Sequence, residues 1–534
     1  MGHQLVLEET PNGLQVTYEH RRLYGRNPED DAARRIRSTT IPPDTLVLWL
    51  SPVLWHGWGD LRPLLSRGSA VIAVEADPVL LELSGRRYPG PDEDLVLSRA
   101  VVGDVVRALR DLGQHRFRRL VEISTTGSAL LHREAYRALR DTLDREIRVF
   151  WQNRLTISQM GRLWLRNLIR NVPSLACAAP LCVQGGPAPA VVCGAGPSLE
   201  RALPFLSEHR PRFALIAVDT ALPVLASHGL SPDLVIGLEG QLANAYDFLP
   251  VSRRDYGLLA DLTSCPVVPE LHLQTSWSFT AFAPFTIMKR VRALPGISLE
   301  MPPLGSVGVS AAFAALELGA SPVFFTGLDF AVLPGKTHAR GAPSFLHGFI
   351  HSDRLHRMID PGIGARLIDL RGALPASRTT LVLKGYADEL AALLRRRNDC
   401  YVLAPTGIDI AAVALTAEEA TTLLDSTPAG TLTSEPAPLQ AASRARLASF
   451  IQGEIQSLSS LEDDIDSVDR LPESVDYLAC EVPDRVTRLA DRVDVLPLDR
   501  SSRSRIRAAA RYYRRRWASS LAILENGHPT TPRS

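Results

Sequence analysis

The chain has 534 residues, of which 45% are hydrophobic and 22% are charged, and its formal net charge is +1. This length predicts two or three folding units with enough apolar material for their cores. A net charge so close to zero excludes an overall field that would attract nucleic acid or an anionic membrane, so we expect neither as a partner.

The first predicted unit is Rossmann-like. Apolar runs predict buried strands at Thr45–Leu50 and Ala70–Glu75, with a glycine-bearing turn containing Gly57 and Gly59 between them. Glu75 and Asp77 follow the second strand, where an acidic residue would meet a ribose. Because the third glycine of the dinucleotide fingerprint is missing, two interpretations stay open: a nucleotide-binding unit, or a βαβ unit that binds nothing.

A long helix is predicted next, over residues 134–172, because apolar side chains recur at helical spacing. Asn153, Asn167 and Asn171 lie along it, and we interpret the segment as a connecting helix. Residues 173–189 are rich in Pro, Ala and Gly, which is typical of a linker.

The clearest pattern is the segment Val191-Val-Cys-Gly-Ala-Gly-Pro-Ser-Leu199. A buried strand is predicted to end at Cys193, and Gly194 and Gly196 allow a tight turn and a close approach of backbone to a ligand. Pro197 suits the first turn of a helix, and Ser198 adds a hydroxyl beside its N–H groups. A helix N-terminus at the carboxyl end of a parallel strand is an anion-binding geometry, so we predict a phosphate loop here.

Acidic residues follow the next two predicted strands. Asp219 ends the strand of residues 213–218, where it could hold ribose hydroxyls or a base edge, or cap the following helix. Glu239 ends the strand that begins near Leu234, and it is either a second ligand contact or a solvated loop acid.

Two later loops carry further candidates. Gly305-Ser306-Val-Gly308 precedes an Ala-rich helix and repeats the small-residue and hydroxyl pattern of an anion site. Thr326-Gly-Leu-Asp329 ends another strand, and Lys336-Thr-His338-Ala-Arg-Gly341 follows it. Histidine titrates near neutral pH, so His338 is a candidate general base with Asp329 as its possible orienting partner. His351 and His356 are rivals for the same role.

The last predicted unit is helical and ends in a basic helix, interpreted either as a solvated face or as a docking surface for an acidic partner. Its arginines are Arg500, Arg503, Arg505, Arg507, Arg511, Arg514, Arg515 and Arg516.

Taken together, the patterns predict an α/β protein with three domains. Residues 1–150 form the Rossmann-like domain and 151–184 a connecting helix and linker. Residues 185–425 form a central domain with a doubly wound parallel sheet, and 436–534 form the helical domain.

Several classes are excluded or disfavoured by what the sequence lacks. It has no G-x-x-x-x-G-K-[ST] loop, no H-E-x-x-H and no nucleophile elbow, which argues against P-loop kinases, zinc proteases and serine hydrolases. The six cysteines form no C-x-x-C pair, and the first ten residues are acidic where a signal peptide would be basic. We therefore expect a cytoplasmic protein with no metal site.

The order of the central motifs resembles the motility accessory factor family of flagellin glycosyltransferases. Its central, MptE-like domain also occurs in archaeal 6-hydroxymethylpterin diphosphokinases. The motifs are G-A-G-P-S-L, D-T-A-L, P-D-L-V-I, G-S-V, G-L-D-F and K-T-H-A-R-G. The three-part layout also matches, so the resemblance covers most of the chain. The same loops are similar to those of a small family of bacterial sialyltransferases, at residues 194–198, 305–307 and 327–330.

The resemblance implies transfer of a nonulosonic acid, sialic- or pseudaminic-like, from a CMP-activated donor substrate to Ser or Thr of flagellin. It also implies a role for each candidate. Gly194, Gly196 and Ser198 would lie against phosphate, Asp219 and Glu239 against the nucleoside, and Ser306 against the donor carboxylate or phosphate, while His338 would remove the acceptor proton.

Two other hypotheses stay open. One is a diphosphokinase that acts on a pterin-like substrate with ATP–Mg²⁺, in which Asp219, Glu239 and Asp329 hold the metal. The other is a non-catalytic flagellin-binding assembly factor that works through the basic helix.

Overall fold

The structure is a computed structural model. Its described residues are 5–66, 68–184, 188–249, 251, 256–270, 272, 274–281, 285–333, 336–343, 350, 368–369, 378–428, 431–434, 441–468, 471–481 and 500–526. They fall into two compact units that divide between Gln159 and Met160, and the helices after residue 441 belong to the second unit. In the described ranges, no helix combines the length and the apolar character needed to cross a membrane.

The first unit contains a small antiparallel sheet and a parallel sheet. Its strands are β1 (Leu5–Thr10), β2 (Gly13–Tyr18), β3 (Arg21–Arg22), β4 (Thr45–Leu50), β5 (Ala70–Glu75), β6 (Leu95–Arg99) and β7 (Arg119–Ile123). Its helices are α1 (Pro28–Arg37), α2 (Trp58–Leu61), α3 (Pro78–Arg86), α4 (Val102–Asp111) and the start of α5 (Arg133–Asn171). The parallel sheet has the order β6-β5-β4-β7, so the Rossmann-like prediction for this unit is confirmed.

In its described residues, the second unit contains a nine-stranded parallel sheet and two small antiparallel sheets, β16-β17 and β20-β8. Its strands are β8 (Leu181–Gln184), β9 (Ala190–Cys193), β10 (Ala214–Val218), β11 (Leu234–Gly237), β12 (Gly257–Asp261), β13 (Thr275–Thr280), β14 (Ile297–Met301), β15 (Val323–Thr326), β16 (Ile368–Asp369), β17 (Arg378–Thr379), β18 (Cys400–Leu403), β19 (Val413–Leu415) and β20 (Thr431–Ser434). The large sheet has the order β14-β13-β12-β11-β10-β9-β15-β18-β19, and the central strands are fully buried. This confirms the predicted doubly wound sheet.

Helices complete the second unit. They are α6 (Ser198–Glu208), α7 (Leu222–Ser227), α8 (Val267–Glu270), α9 (Thr286–Arg292), α10 (Val307–Glu317), α11 (Leu381–Leu394), α12 (Ala417–Asp425), α13 (Ala441–Asp464) and α14 (Arg500–Asn526). Helix α10 is rich in alanine and almost entirely buried, because small side chains let it lie close to the strands.

Two strands lie where no regular element was predicted. β8 lies in the segment interpreted as a linker, and β20 lies between the predicted central domain, which ends at residue 425, and the predicted helical domain, which begins at residue 436. The two pair with each other in antiparallel register, Leu181 opposite Ser434. Each is only four residues long and pairs across about 250 positions of sequence, so no local pattern revealed the pairing.

The C-terminal helices join the second unit through a buried polar cluster. The Glu454 carboxylate on α13 is almost fully buried and accepts from Arg290 of α9 at 3.0 Å and from the Tyr477 hydroxyl at 3.2 Å. Asp476 accepts the N–H of Thr286 at the start of α9 at 2.8 Å. Because these groups lie away from water, each bond that is broken leaves a partner unsatisfied.

We predict that Glu454→Ala lowers the free energy of unfolding by about 2–3 kcal/mol, because it leaves the Arg290 guanidinium and the Tyr477 hydroxyl without their buried acceptor. Urea denaturation measures this change. The matched control is Glu300→Ala, which breaks the exposed Arg292–Glu300 pair and is expected to cost less than about 1 kcal/mol. Equal effects of the two substitutions would contradict the prediction.

Candidate functional site

The central sheet reverses its strand order between β9 and β15. Strands β10 to β14 follow β9 on one side, and β15, β18 and β19 lie on the other. In open parallel sheets, ligands bind beyond the carboxyl ends of the strands at such a switch point. The two loops that leave the sheet here are residues 194–198 after β9 and residues 327–329 after β15.

These two loops lie in direct backbone contact. A Cβ added to Gly194 would lie 2.3 Å from the carbonyl oxygen of Gly327. A Cβ on Gly327 would lie 2.1 Å from the carbonyl oxygen of Gly194, and Gly327 has a φ of +68°. Both positions therefore require glycine. The two glycines hold the two loops together at the carboxyl ends of β9 and β15.

Hydrogen bonds complete this contact. The N–H of Gly196 donates to the Gly327 carbonyl at 2.8 Å, and the N–H of Gly327 donates to the Ser198 hydroxyl at 2.7 Å. These groups of the predicted phosphate loop are thus already bonded within the chain. A contact between these groups and a phosphate stays a prediction. In that prediction the glycine loop lies beneath the ligand.

Asp329 bonds to the start of α6 and does not meet His338. Its carboxylate accepts the Ser198 N–H at 3.0 Å and the Thr406 hydroxyl. The side chain is buried, and burial raises its pKa although the bonds from Thr406 and Ser198 oppose that shift. The suggested pairing of Asp329 with His338 is therefore corrected: a carboxylate at a helix N-terminus satisfies N–H groups that lack partners in the helix.

His338 nevertheless lies beside the glycine loop. The N–H of the next residue, Ala339, donates to the Ala195 carbonyl at 2.8 Å. The ring is partly buried, its Nδ1 lies 3.1 Å from the Thr337 hydroxyl, and burial lowers its pKa. A histidine with a lowered pKa is neutral at pH 7, which is the form that accepts a proton. The rivals His351 and His356 lie outside the described residues.

Asp219 is a buried carboxylate with one unpartnered oxygen, a feature that it shares with Asp476 among the described residues of the second unit. It follows β10 and is 2% exposed. Its Oδ1 accepts from the N–H and the hydroxyl of Thr220, whereas its Oδ2 has no hydrogen-bond partner among the described residues. The pKa of Asp219 is raised to about 7. Burial is the largest cause, and the nearby charges of Asp247 and Glu239 add to it. An orphaned oxygen in a buried carboxyl group is suited to a ligand that donates a hydrogen bond.

Glu239 and Asp247 share this environment. Burial raises the pKa of Asp247, and the charge of Glu239 raises it further. Glu239 remains accessible to solvent, although the neighbouring protein removes enough of its hydration to raise its pKa. The predicted pair Asp219 and Glu239 is thus brought together. Asp247 was missed, because Asn-Ala-Tyr-Asp reads as an ordinary polar turn.

Two asparagines of α5 fix the loops that carry these acids. The Asn167 side chain donates to the carbonyls of Gly240 and Thr263, both at 2.9 Å. Asn171, one turn later, donates to the carbonyls of Leu262 and Ser264 at 3.1 and 2.9 Å. Both amides are buried. Helix α5 therefore holds the loops after β11 and β12 in place, in addition to linking its neighbours along the chain. The side chain of Asn153 lies outside the described residues.

Ser306 is the N-cap residue of α10, and the loop that carries it contacts Leu328 and helix α11. Its hydroxyl accepts the Gly308 N–H at 3.2 Å, as the N-cap pattern predicts. A Cβ on Gly308 would lie 2.5 Å from Leu328, the side chain that also covers Gly194. The N–H of Gly305 donates to Glu389 of α11 at 2.9 Å. The loop of residues 305–308 therefore packs against the loops of residues 194–198 and 327–329.

The carboxylates do not form a metal centre in the described part of the chain. No group of three or more His, Cys, Asp or Glu side chains there is arranged to hold a metal ion. Asp329, which the diphosphokinase hypothesis places with Asp219 and Glu239, is bonded to Ser198 and Thr406. Among the described residues, these three carboxylates are not grouped as the ligands of one metal ion.

The acids of the first unit have partners within that unit. Glu75 accepts the Tyr136 hydroxyl at 3.0 Å, the Ala76 N–H at 2.9 Å and the Ser51 hydroxyl. Asp77 caps α3 by accepting the Val79 N–H at 2.8 Å. These bonds favour the interpretation that this unit binds no nucleotide.

Three arginines of the basic C-terminal helix form ion pairs within the second unit. Arg511 and Arg514 lie 2.7 and 3.2 Å from Glu462, and Arg507 lies 2.5 Å from Asp466. Arg505, Arg515 and Arg516 lie on the exposed surface, so both interpretations of the helix stay open.

We predict that the raised pKa of Asp219 makes stability fall with rising pH. The folded protein keeps a proton on Asp219 up to a pH of about 7, whereas the unfolded chain releases it near about pH 4. The free energy of unfolding therefore decreases between these two values. In Asp219→Asn this decrease becomes shallower, as urea denaturation from pH 4.5 to 7.5 measures.

Asp399→Asn is the control, because the hydrogen bond from Arg397 lowers the pKa of Asp399. Its contribution to stability is lost only at acid pH, so the slope between about pH 4.5 and 7.5 stays that of the parent protein. An unchanged slope in Asp219→Asn would contradict the assignment.

Comparisons with known proteins place this geometry in context. Residues 166–335 match the family model described as 6-hydroxymethylpterin diphosphokinase MptE-like. An uncharacterized protein of Treponema pallidum (strain Nichols) is 29% identical over 363 residues. The match covers 66% of this chain and 63% of that relative.

A solved structure, the MAf glycosyltransferase from Magnetospirillum magneticum AMB-1, has a TM-score of 0.52 and 16% identity to this chain. The likeness covers 98% of this chain and 90% of that structure, and at this identity it shows the fold. Together with the domain match, it confirms the fold that the motif resemblance implies. Residues 166–335 are similar to an MptE-like domain, and the fold of this chain is similar to that of a MAf glycosyltransferase.

Proposed function

We propose that this chain is a cytoplasmic glycosyltransferase that moves a nonulosonic acid from a CMP-activated donor to Ser or Thr of flagellin and so supports motility. The observation that carries the proposal is the orphaned Oδ2 of buried Asp219, beside Glu239 at the carboxyl edge of the sheet. A sugar nucleotide offers ribose hydroxyls and a base amino group, which are the donors that such an oxygen lacks.

The loops support a donor site at this edge. β9 and β10 are adjacent, with Cys193 opposite Ala217, so the glycine loop and Asp219 leave the sheet side by side. We expect the nucleoside over Asp219 and Glu239, the phosphate over the floor formed by Gly194, Gly196 and Ser198, and the donor carboxylate near Ser306. The N-terminus of α10 would favour a negative charge there.

The transfer step needs a base for the acceptor. In the proposed reaction the Ser or Thr oxygen attacks the anomeric carbon, and the bond from that carbon to the phosphate oxygen breaks. CMP leaves with the bonding electron pair, and the hydroxyl proton passes to neutral His338. The lowered pKa of His338 keeps the base form available at neutral pH.

The geometry supports transfer over the other hypotheses. A diphosphokinase that uses three carboxylates for Mg²⁺ would need Asp329, which is bonded to the start of α6. An assembly factor working through the basic helix would have fewer arginines available, because Arg507, Arg511 and Arg514 are paired with Asp466 and Glu462.

We predict that CMP and CMP-sialic acid raise the thermal stability of the protein, whereas GDP, UDP and ATP–Mg²⁺ do not. At about 100 times its dissociation constant, a ligand adds about 2.7 kcal/mol to the free energy of unfolding. Glu239→Gln should lose most of this shift, because it removes the acceptor charge beside the nucleoside.

The matched control is Glu75→Gln, which makes the same change at the end of a parallel strand in the first unit and should keep the full shift. A shift with ATP–Mg²⁺ alone would favour the diphosphokinase. No shift with any nucleotide would favour the assembly factor.

We predict that His338→Asn lowers the rate of sugar transfer to flagellin by about 10²–10⁴-fold, since it removes the general base, while CMP still binds. Mass spectrometry of intact flagellin measures the transfer. His228→Asn, which changes an exposed histidine of the same unit, is the control and should transfer at the parent rate. A His338→Asn variant as active as this control would remove His338 from the mechanism.

A further inference from the structure

One acidic side chain connects the glycine loop to the histidine loop. Glu200 lies in the first turn of α6, directly after the Gly-Ala-Gly-Pro-Ser-Leu motif. Its Oε2 pairs with the Lys336 ammonium and its Oε1 accepts the N–H of Arg340. The carboxylate therefore bonds to both ends of the five-residue segment 336–340, at whose centre His338 lies.

The contact of Glu200 with Lys336 and Arg340 is partly shielded from solvent. The side chains of Glu200 and Lys336 are 26% and 22% exposed, so water competes only partly for the ion pair. Burial opposes ionisation of Glu200, yet the bonds from Lys336 and Arg340 outweigh it and lower its pKa. An acid in the first turn of a helix would otherwise only stabilise the helix dipole in solvent.

A third bond lies between the two ends. The Ala339 N–H donates to the Ala195 carbonyl at 2.8 Å, inside the glycine loop itself. Three contacts thus hold five residues against the start of α6. The ring of His338 makes a local contact to Thr337 in the described residues and depends on this backbone anchoring for its place.

We propose that Glu200 is a positioning residue that holds His338 against the glycine loop, in register with the donor site. This inference rests on the proposed function for its catalytic meaning, and on the contacts of Glu200 alone for its structural part. Reactive groups must be held near their working geometry, and small displacements are costly.

Hydrogen–deuterium exchange of the unliganded protein tests the structural part. In Glu200→Gln the ion pair is lost, so the peptide that contains Ala339 and Arg340 should exchange about tenfold faster, while other peptides keep their rates. Lys336→Met should give the same local change, and Lys336→Arg should restore protection. Glu208→Gln, the same substitution on an exposed side chain of α6, is the control and should exchange like the parent.

Transfer kinetics test the functional part. Glu200→Gln should lower kcat about tenfold and leave the KM for the CMP-activated donor unchanged, since the acid anchors the base and not the nucleotide. Faster local exchange with an unchanged kcat would overturn the proposal, and so would unchanged exchange.

The two proposals can fail separately. If the parent protein bound no CMP compound and transferred no sugar, the proposed function would fail. Faster exchange in Glu200→Gln would then still support the anchoring of the His338 loop.

Discussion

The whole carboxyl edge of the central sheet depends on one backbone contact, that between Gly194 and Gly327. Neither position has room for a Cβ, and the two loops exchange hydrogen bonds across the contact. Once the loops are joined in this way, Ser198 and Asp329 meet at the start of α6, and Leu328 lies against both Gly194 and Gly308. The glycine loop of residues 194–198, the helix that bears Glu200 and the loop that bears Ser306 therefore share a single fixed point.

The buried carboxylates of the second unit differ in how fully they are satisfied. Asp329 bonds to an N–H and a hydroxyl, and Asp261 accepts from the N–H and hydroxyl of Thr263, so each resembles a structural cap. Asp219 has local bonds to one oxygen only. Folding does not gain from leaving a buried oxygen without a donor, so its retention fits a group that acquires its donor on binding.

The sequence predicted the elements well and their polar contacts poorly, for a physical reason. Strands such as Ala190–Cys193 and the α10 helix follow from local apolar patterns, which the short-range geometry of the chain determines. The bond from Ser198 to Asp329 spans 131 positions, and the bond from Arg340 to Glu200 spans 140. Such pairs depend on which strands become neighbours, so the sequence indicated Ser198 and Asp329 without their pairing and did not indicate Glu200 at all.

The asparagines of α5 also have contacts that the sequence could not indicate. The sequence placed Asn167 and Asn171 along a connecting helix and assigned them no contact, whereas in the structure both side chains donate to backbone carbonyls from one face of α5. Their acceptors are backbone carbonyls after β11 and β12, and a carbonyl carries no side-chain signature. A buried amide that binds main chain is therefore visible in sequence only as an unexplained polar residue on an apolar helix.

The two Rossmann-like sheets of this chain show why one edge is suited to a ligand and the other is not. After β4 and β7, Ser51, Thr126 and Ser128 bond to one another at 2.6–2.9 Å, and Ser51 also bonds to Glu75, so hydroxyls close that edge. After β9 and β10, glycines keep the floor low and the carboxyl of Asp219 keeps an acceptor unused. Parallel sheets with a strand-order reversal thus differ in how their carboxyl edges are satisfied. The side chains of the first edge satisfy each other, and the second edge keeps an unused acceptor where we propose the donor site.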